Sequence, residues 1–167
     1  MPQIPATDPA QFLWFLPLTI AIAIWVSWSD MKFMKIPNKA VMALASVWFV
    51  LGWPVVGLTV WLWGLALLAV VLVIGFVLSV GGLLGAGDAK FAAAMAPFFT
   101  GCDLRLLFAL FAACLLGAFT AHRIARAIPV VRRVTTDWAS WTHKKFPMGL
   151  ALSGTLIFYP LCAALLP

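Results

Sequence analysis

"GLLGAGDAK", residues 82–90, interrupts a long apolar sequence with three glycines and then a carboxylate. No residue between Lys39 and Asp88 carries a formal charge. A charge-free run of that length belongs in lipid, so Asp88 stands where a membrane segment begins and an ionisable group is costly. The apolar stretch that follows, "AKFAAAMAPFFT", is only about 12 residues, or ~18 Å of helix against a ~30 Å hydrocarbon core. The helix that opens at this motif is therefore expected to be short and to start inside the membrane boundary.

The rest of the chain supports a membrane setting. Of its 167 residues, 65% are hydrophobic and 10% charged, and the mean hydropathy is +1.09. That balance excludes an ordinary soluble domain. With roughly 20 apolar residues per crossing, the chain holds about six helices in one all-α integral membrane domain, residues 1–167. The expected spans are Phe12 to Trp28, Ala40 to Trp53, Leu58 to Val80, the short fourth helix to Thr100, Leu104 to Ala121, and Met148 to Leu166. The break between the second and third rests on "GWPVVG", where Pro54 and two glycines divide a run too long for one crossing. The segment "MPQIPATDPAQF" has no basic residue and no cleavage signature, so the first span is expected to be retained.

Basic residues orient these spans. Lys32, Lys35 and Lys39 follow the first, Lys90 opens the fourth, and six more lie between the fifth and sixth. Only Arg105 falls on the other side, so ten of the eleven share a cytoplasmic face,. The net charge of +6 is then explained by topology and anionic headgroups, and no nucleic-acid motif accompanies it,. The loop "HRIARAIPVVRRVTTDWASWTHKKF" mixes cations with large apolar residues, a composition suited to the headgroup region. Trp25, Trp28, Trp53, Trp61, Trp63, Trp138 and Trp141 fall near span ends and are expected to anchor there. His122 and His143 are expected to face solvent or headgroups. Cys102, Cys114 and Cys162 are isolated, with no metal-ligand spacing, and no metal or cofactor is assigned.

All five acidic residues are Asp. Asp8, Asp103 and Asp137 fall in exposed segments, whereas Asp30 and Asp88 each sit where a span meets the cytoplasmic face. If packing brings these two together they cannot both ionise easily, so one holds a proton while the other is anionic. Such a pair suits hydrolysis of an amide: the anion takes a proton from water and the acid donates to the carbonyl oxygen. Gly85 and Gly87, lacking Cβ, permit an unusual turn and a close backbone approach to the carboxylate. Lys90, two positions beyond Asp88, diverges from it on a helix and is expected to anchor in headgroups.

Three ordered blocks, "DMKFMKIPN" (30–38), "GAGDAK" (85–90) and "FPMGLALSG" (146–154), resemble the short type IV prepilin peptidases of the tight-adherence pilus type. These are GxGD-type aspartic proteases of the bacterial inner membrane. The resemblance implies that Asp30 and Asp88 form a catalytic pair facing the cytoplasm. It implies a pilin-like precursor as substrate, cut after the glycine that ends its basic leader and before its apolar helix. Longer relatives add a cysteine-rich zinc-binding region and N-methylate the new terminus, and those cysteines are not found here. Within the blocks, Pro37 and Asn38 are expected to end one helix and cap the next. Pro147 and Gly149 are expected to start or bend the last span toward the site. An ion-coupled transporter and a noncatalytic pilus-assembly partner are the rival readings. The oligomeric state is not legible.

Overall fold

The structure, a computed structural model, describes residues 8–143 and 145–165. Among the described residues six α-helices follow one another: α1 Leu16–Phe33, α2 Asn38–Val80, α3 Ala86–Met95, α4 Leu104–Ala127, α5 Pro129–Val134 and α6 Gly149–Leu165. Short 3-10 turns at Pro9–Phe15, Ala96–Phe99 and Ala139–Trp141 extend or link them. There is no strand among the described residues. Among the described residues three stretches are long and apolar enough to cross a membrane: Pro9–Phe33, Asn38–Val80 and Leu104–Ala127. The apolar α6 is shorter. The expected N-terminal segment falls partly on residues 1–7, and Lys144 and the expected last span residue Leu166 also lie outside the described residues.

At 43 residues, α2 would run about 65 Å if straight, twice the hydrocarbon thickness. It is not straight. Gly57 has φ 79° and ψ 161°, a conformation essentially closed to residues with a Cβ. The chain folds back there: the Trp48 indole donates to the Trp61 carbonyl at 3.3 Å and the Trp61 indole donates to the Trp48 carbonyl at 3.1 Å. Thirteen residues of continuous helix would hold those groups about 20 Å apart. Residues 38–56 and 58–80 are thus antiparallel arms, pressed together where Gly52 faces Trp61 and Gly64 faces Trp48. The division of the apolar run stands and falls within the expected "GWPVVG" segment: it lies at Gly57, while Pro54 stays within the first arm. Trp61 ties this hairpin together through its indole.

After Val80 the turn at 81–85 reverses the chain again, and α3 packs along the second arm. A Cβ on Gly75 would lie 3.0 Å from the Ala89 Cβ, so the glycine sets how closely the two helices approach. The deepest core surrounds Trp48, whose ring lies 5.7 Å from Phe15 and 5.3 Å from Phe98. On the other side of the bundle α6 packs against both α1 and α4. At the end near Arg105, the Asp103 amide donates to the Tyr159 hydroxyl at 3.0 Å, joining the start of α4 to α6.

Three further expectations are corrected. α1 runs on to Phe33, so Asp30 lies in its last turn and is buried. The basic connection does not simply lie at the surface. Trp141 is buried, its indole donates to the Thr135 carbonyl at 2.8 Å, and it stacks on His122 at 5.1 Å. His122 is therefore packed inside, against the expectation of a solvated ring. The Lys32 ammonium, 2.8 Å from Asp137, clips the loop to α1 and holds that exposed carboxyl below its ordinary range.

Candidate active site

Each aspartate is placed by the way its own helix begins or ends. α1 stops because Met34 turns left-handed, φ 53°, and its amide returns to the Asp30 carbonyl at 2.9 Å. The Ser29 hydroxyl donates to the Lys35 carbonyl at 2.9 Å, holding the short loop against the helix. Pro37, φ −67° and ψ 133°, then leads into α2 as its N-cap. Asn38 is the first helical residue and caps nothing. Its side-chain oxygen instead accepts from the Lys90 ammonium at 3.5 Å, which links the start of α2 to α3.

Asp88 lies in the first turn of α3, with Gly85 as N-cap. A carboxylate there meets the positive end of the helix dipole, worth about 0.3–1 kcal/mol. Neither Gly85 nor Gly87 has the positive φ that an unusual turn would need; in this segment Gly82 has it, at 73°. The glycines act through space. A Cβ on Gly85 would lie 2.5 Å from the Asp88 Oδ2, and one on Gly87 would lie 3.4 Å from the Ile36 Cβ.

The last block reaches Asp30 more directly than helix bending implies. The Gly149 amide, at the first residue of α6, donates to the Asp30 Oδ2 at 2.7 Å. A Cβ at Gly149 would sit 2.9 Å from that oxygen. Pro147 is fully buried just before it and has no amide hydrogen to offer,.

A cavity of about 420 Å³ lies between these elements, and both Asp30 and Asp88 line it. The two carboxylates are near enough that the charge of Asp30 acts on Asp88, as does the Lys145 ammonium. Gly85, Gly87, Met34, Lys35, Phe146 and Met148 complete much of the wall. Of the residues singled out in the sequence, Asp30, Asp88, Gly85 and Gly87 meet at the cavity, and Gly149 holds Asp30 from its edge. Lys90, Asn38, Pro37 and Pro147 are not among its walls.

Lys145 and His143 also line the cavity, and sequence reasoning assigned both to the membrane surface. The signal that points to them is position: they immediately precede the "FPMG" block, whose Gly149 touches Asp30. Among the described residues no group of three or more His, Cys, Asp or Glu converges to hold a metal.

The chemistry open to such a site is acid–base work on a bound water. Two carboxylates facing one small volume can hold a single proton between them, giving one base and one acid within reach of the same molecule.

Compared with models of known families, residues 17–122 match that of the type IV leader peptidase family. The match includes both aspartates and the GxGD motif and ends before α6. No curated protein and no solved structure matches.

Proposed function

This chain belongs to the type IV leader peptidase family, and on that premise we propose that it is an aspartic endopeptidase using Asp30 and Asp88 to hydrolyse pilin-like precursors. The observation that supports this reading best is the shared cavity, with Asp30 oriented by an amide 119 positions away in sequence.

In the proposed reaction a water sits between the carboxylates. The ionised one removes a proton as the oxygen attacks the scissile carbonyl, while the protonated one donates a hydrogen bond to the carbonyl oxygen. Collapse of the tetrahedral intermediate breaks the C–N bond, and a proton passes to the leaving amine. The scissile segment must be extended, because helical carbonyls are already engaged with their own amides.

The reading also assigns an orientation and a substrate. Counting the α2 arms separately, with α3 as a short inserted helix, gives six membrane segments. The ends bearing Lys32, Lys35, Lys39, Lys90 and Lys145 then share one face with the aspartates. By the positive-inside rule we read that face as cytoplasmic, and we take the bacterial inner membrane as the setting that suits the family. The substrate is a precursor whose basic leader lies on that side and ends in glycine just before an apolar helix. Because Lys35 and Lys145 line the cavity, long-range attraction of a basic leader is a poor account of recognition, leaving local contacts to carry it.

Co-expression with such a precursor tests the proposal through a mobility shift on cleavage. Asp8→Asn, Asp103→Asn and Asp137→Asn are expected to leave processing within about twofold of normal. The first two aspartates cap helical turns, accepting from the Ala10 and Arg105 amides at 2.9 Å and 2.8 Å, and Asn caps equally well. Asp137 takes part in an exposed ion pair, worth about 0–1 kcal/mol. Loss of cleavage in any of the three would move the chemistry away from the Asp30–Asp88 cavity. Asp88-dependent ion flux without processing would favour the transporter reading.

A further inference from the structure

The proposed substrate carries a basic leader, yet the cavity that would cut it is bordered by cations. Lys35 and Lys145 both line it. The charged and titratable groups that share the cavity with Lys145 are Asp30 from α1, Lys35 from the loop after α1, Asp88 from α3, and His143 from its own segment. A lysine that repels the leader and still borders the two carboxylates needs another reason to be there.

The backbone around Lys145 is held from both sides. Its amide donates to the His143 Nδ1 at 3.1 Å. The next residue, Phe146, also lines the cavity and packs against His122 and Phe119 of α4, with ring centres 6.0 Å and 5.9 Å away. Pro147 is fully buried, and two positions on the Gly149 amide donates to the Asp30 Oδ2 at 2.7 Å. One short segment, 143–149, thus brings an amide to Asp30 and an ammonium to the cavity that Asp88 shares. Of the two lysines in the wall, it is the Lys145 charge that is felt at Asp88.

The pair has use for such a charge. Asp30 is buried and Asp88 half-buried. One proton shared between two carboxylates leaves one negative charge, and a charge withdrawn from water is costly unless it is paired. The Gly149 amide offers a dipole, whereas an ammonium offers a whole compensating charge and favours the anion over a second protonation.

We propose that Lys145 is a positioning residue of the reaction: its ammonium, held at the cavity by the segment that anchors Asp30, compensates the single negative charge of the carboxylate pair and so keeps one member ionised as the base. The proposal rests on the peptidase reading, since only a pair that reacts has a working protonation state.

The test is the pH dependence of kcat/KM for precursor cleavage by purified Lys145→Met protein, in which the side chain keeps its length and loses its charge. Without the cation both proton losses from the pair occur at higher pH, so the whole profile is expected to move up by about one unit with its maximum height retained within about threefold. The shift is at the lower end for a neighbouring charge because Lys145 is exposed and water screens it,. On the acid side such a move is a loss of about tenfold at fixed pH. Lys145→Gln should behave as Lys145→Met does, and Lys145→Arg, which keeps the charge, should leave the profile in place. Lys35→Met is expected to move it less. A profile that stays in place in Lys145→Met, even if lowered at every pH, would make Lys145 a structural part of the loop and overturn the proposal. An equal shift in Lys35→Met would assign the effect to the general charge of the wall and overturn it too.

A second measurement needs no cleavage and so serves a variant too slow to assay. Infrared spectra of the purified protein, taken as differences against Asp88→Asn, report the protonated carboxyl of the pair. The pH at which its band disappears is expected to rise by a similar amount in Lys145→Met. If the band moves but the unaltered protein never cuts a precursor, the peptidase reading fails and the coupling of Lys145 to the pair stands. If cleavage proceeds and neither the profile nor the band moves, the peptidase reading stands and the role of Lys145 is overturned.

Discussion

Asp88→Asn protein is expected to fold, insert and bind precursor, but to cut it at least about 10³-fold more slowly than the unaltered chain. The amide matches the carboxylate in shape and can neither take a proton from water nor share one with its neighbour. Asp30→Asn is expected to fail as completely for the same chemical reason. Its side-chain oxygen can still accept from the Gly149 amide, which contacts Asp30 Oδ2 at 2.7 Å in the native chain, so the loss reports chemistry and not misplacement. Single-turnover cleavage, normalised to membrane-inserted protein, measures both. Cleavage within about tenfold of normal in either variant would show that the altered carboxylate is not part of the reacting pair.

Gly149→Ala is expected to cause the second largest loss, about 10²-fold or more, with both aspartates intact. The new Cβ would lie 2.9 Å from Oδ2, 3.0 Å from Cβ and 3.2 Å from Cγ of Asp30. The clash reaches the root of the side chain, so rotating the carboxylate does not relieve it, and α1 must move away from α6. A shift of about 1 Å at a reacting group is enough for a loss of that size. Gly85→Ala should be milder, because its Cβ meets mainly the free Oδ2 end of Asp88, which can rotate away. Gly87→Ala, facing Ile36 at 3.4 Å, should be milder still. A processing assay that returned the reverse order would contradict the positioning role of the Gly149 amide.

Much of the molecule is legible in its sequence for simple physical reasons. A run without charge between Lys39 and Asp88 admits few environments, and its length forces a reversal somewhere within it. Asp88 and Asp30 stand out because carboxylates are rare and costly at that depth. The exact reversal point is another matter. Pro54 and Gly57 both interrupt a helix, but the fold-back needs a positive φ that only glycine supplies cheaply, and Pro54 sits in a helical arm. Whether an aromatic ring faces lipid or protein also escapes composition, because Trp is at home in either. Trp61 and Trp141 turn inward where their indole hydrogens find carbonyls, at Trp48 and Thr135.

The Gly149 amide contact was hidden for a different reason. It joins residues 119 apart through a backbone group that every residue except proline carries, so nothing in the residue type announces it. Only the absence of a Cβ at 149 marks the position, and glycine there reads equally well as a helix start. Lys145 and His143 were hidden by their company: in a strongly basic loop, residues that line the cavity look like their neighbours.

The central claim is that Asp30 and Asp88 work as one unit holding one proton. The pH dependence of kcat/KM for precursor cleavage by the purified protein tests it most directly. A bell-shaped profile is expected: activity falls on the acid side as the second carboxylate protonates and the base is lost, and falls on the alkaline side as the shared proton leaves and the acid is lost. Asp137→Asn should trace the same curve. A profile governed by one ionisation, rising to a plateau that holds across the alkaline range, would mean that a single carboxylate does the proton work, and the account of a cooperating pair would be wrong.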